Sequence, residues 1–162
     1  MPVNQLNTEQ AENATALFYR NTPLREINPH QTMYSLVKNL NKNNLDKPAI
    51  GFLGRSITYR QLFRNVDKLA DSFHKLGVCE GDTVALLTIS MPVVQENLLA
   101  LSKIGAVSEW IDLRIKGNEL IKKLNERNCQ ILIAFDGMVE ELSKIISETS
   151  VKKGNGYFFF TK

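Results

Sequence analysis

The chain has 162 residues, 43% of them hydrophobic and 23% charged, with a net charge of +3. By length this is one domain, long enough to bury a sizeable core. The basic residues are spread along the sequence and form no strip with interleaved aromatics, which argues against a nucleic-acid surface.

Residues 1–30 are polar and weakly patterned. A short helix is expected over Ala11 to Arg20, broken by Asn21-Thr22-Pro23 and Asn28-Pro29, so this stretch reads as an N-terminal arm. No signal peptide is expected at the N-terminus, and no apolar run reaches the length of a membrane span. Thr32 is placed to cap a helix with Tyr34, Leu36, Val37 and Leu40 on its inner side. The Asn-rich run from Asn39 to Asn44 ends that helix.

Pro48 to Leu53 and Ser56 to Thr58 read as a β-hairpin turning at Gly54-Arg55. Thr58 and Gln61 then form a capping box, in which each side chain satisfies an orphan backbone N–H. Tyr59, Leu62, Phe63, Val66, Leu69, Ala70, Phe73 and Leu76 follow at helical spacing, and Gly77 stands where a left-handed cap belongs. Thr83 to Ile89 is a near-continuous apolar run, the pattern of a strand buried on both faces. Pro92 opens a helix carrying Val94, Leu98, Leu101 and Ile104, which stops at Gly105. Ala106 to Ile111 is the next strand. Asn118 to Arg127 is a helix with Leu120, Ile121 and Leu124 inward. Gln130 to Phe135 is a third strand. A last helix over Met138 to Thr149 turns Val139, Leu142, Ile145 and Ile146 inward.

Three strand–helix units predict an α/β fold over 31–150: a Rossmann-like, mostly parallel sheet with helices on both faces, preceded by a β-hairpin. Residues 151–162 form an irregular tail whose aromatic run, Tyr157 to Phe160, is a candidate edge strand and a candidate contact for self-association.

Four segments carry a family resemblance. Ile57-Thr58-Tyr59-Arg60-Gln61-Leu62 fits a first motif. Leu76-Gly77-Val78 with Glu80-Gly81-Asp82-Thr83-Val84-Ala85 fits a turn into a strand. Lys103, Gly105 and Ala106 fit a second motif, which continues to Ile111 and Asp112, with Arg114 where a basic residue is common. From Pro48 to Ile146 the chain thus resembles the N-terminal part of the adenylate-forming ligases, such as acyl-CoA synthetases. Trp110 and Leu113 depart from the pattern, standing where many relatives have proline.

The resemblance implies ATP, magnesium and CoA as cofactors of complete relatives, which form an acyl-adenylate and pass the acyl group to a thiol. It also implies an extent of roughly the first third. The glycine-rich phosphate loop, the ribose-binding aspartate and the C-terminal lysine of that family have no counterpart in these residues. Gly51 to Gly54 and Gly154-Asn155-Gly156 are no substitute, since neither joins a strand to a helix N-terminus. The expectation is therefore an incomplete ligase portion without a cofactor of its own, inactive in adenylation by itself. Its expected partner is a downstream subdomain or a second copy. Two alternatives stay open, a self-association module and a stand-alone nucleotide or acyl-CoA binding domain.

No residue is assigned a catalytic, cofactor-binding or metal role. Asp112 and Asp136 end predicted parallel strands, at the edge where open α/β sheets bind ligands, but with no second acid beside either, capping of a turn or helix is the preferred reading over a metal or sugar site. His74 falls on the outer face of its helix, and His30 has no evident partner. Two histidines without a metal spacing make no zinc site. Ser90 and Ser102 lack the context of a nucleophile. Cys79 and Cys129 stand alone, as in a reduced cytoplasmic protein, and the acids beside Cys79 disfavour a thiolate. Lys103 is read as a cation at a helix C-terminus, with phosphate binding the alternative. Trp110 is expected to be packed, or to line an acyl pocket in a complete enzyme.

Overall fold

The computed structural model describes residue 28, residues 30–152 and the backbone of residues 157–160. The helix expected over 11–20 lies outside the described residues. Contacts divide the chain into two compact units, Met1–Gln31 and Thr32–Lys162. In the first, the His30 N–H donates to Asn28 Oδ1 at 2.9 Å and the Gln31 N–H to the Asn28 carbonyl at 3.0 Å, which makes a turn.

The second unit begins with α1, Met33–Leu40, whose first turn is capped by the Thr32 hydroxyl accepting from the Ser35 N–H at 3.1 Å. Tyr34 is buried and Val37 packs against the same core, whereas Leu36 and Leu40 are exposed. The expected inner set mixed two faces. At 100° per residue Leu36 lies about 200° round from Tyr34, so both cannot face inward.

The hairpin comprises β1, Pro48–Phe52, and β2, Arg55–Thr58. Phe52 pairs with Arg55, so the turn is Leu53-Gly54, one residue earlier than the sequence suggests. Both turn residues have positive φ, +47° and +75°. That is the pattern of a two-residue turn whose twist matches that of its strands. Gly54 tolerates it and set the expectation, but Leu53 gave no sign of it.

Helix α2, Tyr59–Lys75, is bounded as its sequence requires. The Thr58 N–H donates to Gln61 Oε1 at 2.9 Å and the Gln61 N–H to Thr58 Oγ1 at 3.3 Å. At the other end Gly77 has φ +84°. The Val78 N–H reaches the Phe73 carbonyl at 3.0 Å and the Gly77 N–H the His74 carbonyl at 2.9 Å, the paired bonds that close a helix on a left-handed glycine. Leu62, Phe63, Val66, Ala70 and Phe73 are buried along one face. Phe63 meets Tyr34 edge-on at 6.1 Å and Tyr59 at 5.9 Å, each aromatic pair contributing about 1 kcal/mol beyond its area.

Four strands form a parallel sheet in the order β4-β3-β5-β6: β3 is Thr83–Leu87, β4 Val107–Trp110, β5 Ile131–Phe135 and β6 Tyr157–Phe160. Between them run α3, Pro92–Ile104, and α4, Gly117–Glu126; α5, Val139–Ile145, follows β5. Because β3 is flanked by β4 on one side and β5 on the other, the winding reverses there and successive helices cover opposite faces. Val84, Leu86, Ile131 and Ile133 build one core with α1, α2 and α3. Ala85, Leu87, Leu132 and Ala134 build the other with α4 and α5. Alternate residues of one strand thus serve two cores, which is why β3 and β5 read as unbroken apolar runs.

The last helix is shorter than expected. It is preceded by a 3₁₀ turn, Asp136–Met138, and followed by another, Ile146–Glu148. The tighter turn shifts the phase, so that Met138 is buried and Val139 is exposed where the sequence put Val139 inward.

Candidate functional site

The topology fixes where a ligand would sit. The connections leaving β3 and β5 depart to opposite faces, so the carboxyl edge between these neighbouring strands is the switch point at which open α/β sheets bind ligands. It is bordered by the end of β3, followed by Thr88, Ile89 and Ser90, and the end of β5, followed by Asp136 and Gly137. A Cβ at Gly137 would stand 2.5 Å from Phe135 Cε1, so a larger residue there would require the Phe135 ring to shift. Neither the Thr88–Met91 loop nor the Asp136–Met138 turn contains a lysine or arginine. This donor set does not fit a triphosphate or its magnesium, and among the described residues no cluster of three metal-binding side chains exists.

Asp112 lies at the same edge, after β4. Its carboxylate accepts from the Arg114 N–H at 2.9 Å, from Nε at 3.0 Å and from Nη2 at 2.6 Å. The side-chain bonds from Arg114, then its backbone N–H, hold the Asp112 carboxyl down at about 2. Asp112 therefore closes a turn and is engaged by its own neighbour. Asp136 opens a 3₁₀ turn on the next strand but one, so the topology does not set the two aspartates on adjacent strands.

The turn into β3 and the Lys103-Gly105-Ala106 part of the second motif lie at the opposite edge, whereas that motif's Ile111 and Asp112 follow β4 at the carboxyl edge. Gly105 caps α3 with φ +85°, and a Cβ there would stand 2.9 Å from Glu80 Cγ. The Gly81 N–H donates to the Gly105 carbonyl at 2.9 Å, and the Val107 N–H to the Asp82 carbonyl at 2.8 Å. Asp82 Oδ2 in turn accepts from the Cys79 N–H at 2.8 Å. The segments Glu80-Gly81-Asp82 and Gly105-Ala106 are thus two halves of one clasp that sets β3 beside β4. Their chemistry is that of close backbone approach, remote from the carboxyl edge.

Lys103 is partnered rather than free. Its Nζ donates to Asp67 Oδ1 at 2.8 Å and lies 5.6 Å from the Tyr34 ring centre. The Tyr34 hydroxyl donates to the same Asp67 oxygen at 2.8 Å, and Lys38 Nζ donates to the Tyr34 hydroxyl at 3.0 Å. Partial burial raises the Asp67 carboxyl, but the bonds from Lys103 and Tyr34 outweigh it and hold the group below its ordinary value. The bond to Asp67 likewise holds the Lys103 ammonium above its ordinary value. The lysine ties α3 to α2 and α1.

The remaining candidates fall out simply. His74 is exposed on α2. Ser102 Oγ accepts the Tyr34 N–H at 3.2 Å. Cys79 and Cys129 are free thiols, and burial, then Glu109, pushes Cys129 up to about 11. Trp110 is 49% exposed rather than packed, at the end of an edge strand. Among the described residues, three buried polar side chains escaped sequence reasoning: Thr88, Glu96 and Asn97. Asn65 Nδ2 donates to Glu96 Oε1 at 2.7 Å, and Asn97 Nδ2 to the Val93 carbonyl at 2.7 Å. Nothing in a helical pattern marks a polar residue as buried, so no local signal would have found them.

A cleft of about 180 Å³ opens at the amino edge, lined by Gly77, Asp82, Arg127 and Lys152 among others. It is smaller than ordinary ligand sites. Helices α2 and α4 both end there, and Arg127 supplies the positive charge that helix C-termini favour.

The switch point, the two-faced core and the strand order define a doubly wound α/β domain. The family described as "AMP-binding enzyme" matches residues 36–156, so the chain belongs to the AMP-binding enzyme family. It is 30% identical over 109 residues to an acetyl-coenzyme A synthetase of Dictyostelium discoideum, covering 64% of this chain and 16% of that protein. It is 34% identical over 97 residues to acetyl-coenzyme A synthetase 2-like, mitochondrial, of Homo sapiens, covering 57% of this chain and 14% of that protein. Among solved structures, the anthranilate CoA ligase AuaEII superposes with a TM-score of 0.76 at 18% identity, over 83% of this chain and 26% of that one. The chain thus spans a minor part of the length of each relative. No described helix is long and apolar enough to cross a membrane.

Proposed function

We propose that this chain is the N-terminal portion of an AMP-forming acid–CoA ligase and serves as its scaffold subdomain, without adenylating an acid by itself. The observation that carries this reading is the position of the family motifs. The Glu80-Gly81-Asp82 and Gly105-Ala106 segments form a backbone clasp at the amino edge, while the loops that follow β3 and β5 contain no lysine or arginine. In a complete ligase, ATP, magnesium and CoA would be held by residues outside this stretch. Acetate is the first acid to test, given the acetyl-coenzyme A synthetases among the relatives. Acetate-dependent exchange of pyrophosphate into ATP by the purified chain is expected to stay at background, and a rate above background refutes the reading.

The outer edge of β6, unpaired among the described residues, favours a second reading, self-association through that strand. Sedimentation velocity at rising concentration tests it, and a persistent monomer removes it.

A further inference from the structure

Two unfavourable features coincide on one residue of the hairpin. Leu53 holds φ +47°, a conformation that a branched apolar side chain resists. It is also 86% exposed, and its neighbour Phe52 is 41% exposed. All residues from Gly51 to Ser56 are exposed, and a Cβ at Gly51 or Gly54 would meet nothing within 4 Å. The base of the hairpin is anchored, because Ala49, Ile50 and Ile57 pack on the first core and the Tyr59 N–H donates to the Lys47 carbonyl at 3.1 Å. The tip therefore projects from a fixed support.

The sequence running through the hairpin is basic between Asp46 and Asp67. From Lys47 to Val66 there are four basic residues and no acid, in a chain whose net charge is +3. Arg60 is paired with Asp46 at 2.9 Å, while Arg55, directly opposite Phe52, takes part in no ion pair among the described residues. An apolar tip with an unpaired cation beside it matches a surface that is apolar within and anionic at its rim.

We propose that the tip Phe52-Leu53-Gly54-Arg55 docks on an anionic phospholipid surface. Phe52 and Leu53 enter the boundary between headgroups and acyl chains, and Arg55 meets the headgroups. A second copy of this chain fits less well, since a two-fold contact would set like charges against each other. The inference is independent of the ligase reading.

The test is flotation of the purified chain with vesicles of phosphatidylcholine, with and without phosphatidylglycerol, alongside sedimentation velocity in the absence of lipid. The chain is expected to float only with the anionic vesicles, and to be released near ~1 M salt, where screening shortens to about 3 Å. Leu53→Asn installs a residue suited to the positive φ, so it is expected to melt no lower than the parent while losing most of its vesicle binding. Arg55→Gln is expected to lower partitioning about fivefold. Failure of the parent to float with anionic vesicles overturns the proposal, as does undiminished flotation of Leu53→Asn. Lipid-free self-association that Leu53→Asn abolishes also overturns it, in favour of a second copy.

Discussion

Replacing Gly105 by alanine tests the clasp between the Glu80-Gly81-Asp82 turn and the second family motif. Two separate costs arise. At φ +85° an alanine carries left-handed strain of about 1–2 kcal/mol. In addition, its Cβ would stand 2.9 Å from Glu80 Cγ and 3.4 Å from Glu80 Cβ. The Glu80 side chain is exposed and can swing, but its backbone is held by the Gly81 bond to the Gly105 carbonyl, so the contact adds roughly 1 kcal/mol more. A total of about 2–3 kcal/mol lowers the melting temperature of a chain this size by roughly 4–12 °C. Gly77→Ala and Gly81→Ala share the positive φ with open space around them, so each should show the strain alone, near 1–2 kcal/mol. Truncating Glu80 to glycine in the Gly105→Ala background should recover the contact part and leave the strain. The assay is thermal unfolding followed by circular dichroism, with urea titration as a second measure. The reasoning is refuted if Gly105→Ala melts with the parent, or if Glu80 truncation recovers nothing while Gly105→Ala is worse than Gly81→Ala.

Three further outcomes follow from the geometry. Glu141 Oε1 accepts the Gly117 N–H at 3.0 Å and so caps α4, whose own N-cap Lys116 makes no side-chain bond; Glu141→Ala should cost about 1 kcal/mol, read as a fall of roughly 2–4 °C in melting temperature. The Asp67–Lys103 pair sets a pH window. The Asp67 carboxyl is depressed when folded, so its contribution is present above its unfolded value, about 3.9, and is lost as pH falls through the folded one. The Lys103 ammonium is raised, so its contribution is full below about 10.4 and is lost at higher pH. Stability of the parent minus that of Asp67→Asn should therefore be flat between these limits and shrink outside them. Finally, a thiol reagent at neutral pH should label exposed Cys79 and spare Cys129, which is buried and held as a neutral thiol; both should react after unfolding.

What the sequence disclosed was local. The Thr58–Gln61 box, the closing glycines Gly77 and Gly105, and Pro92 act within a turn of their own position, so their residue types suffice. The two-faced burial of β3 and β5 was equally plain as unbroken apolar runs. What stayed hidden depends on partners distant in the chain. Glu141 capping Gly117, Asp67 holding Lys103 and Asn65 facing Glu96 join residues that share no periodic signal. Errors of phase arose where spacing alone was read: Leu36 and Leu40 on α1, and Val139 after an unannounced 3₁₀ turn. The aspartates at the carboxyl edge were correctly placed, but Asp112 proved to serve its own loop. The exposure of Trp110 reflects its edge strand, and sequence does not reveal which strand of a parallel sheet lies outermost.

The central place of β3 has a kinetic consequence. Its partner β4 follows after one helix, but Val84 meets Ile131 only after β4 and α4 have also been synthesised. Closing so long a loop costs entropy before the pairing returns any stability. An emerging chain can thus assemble the hairpin, α2, β3, α3 and β4 as one half, with one edge of β3 still unpaired until β5 arrives. During synthesis this half-built sheet is the species most exposed to aggregation, and refolding from denaturant should be limited by the docking of β5 rather than by formation of its helices.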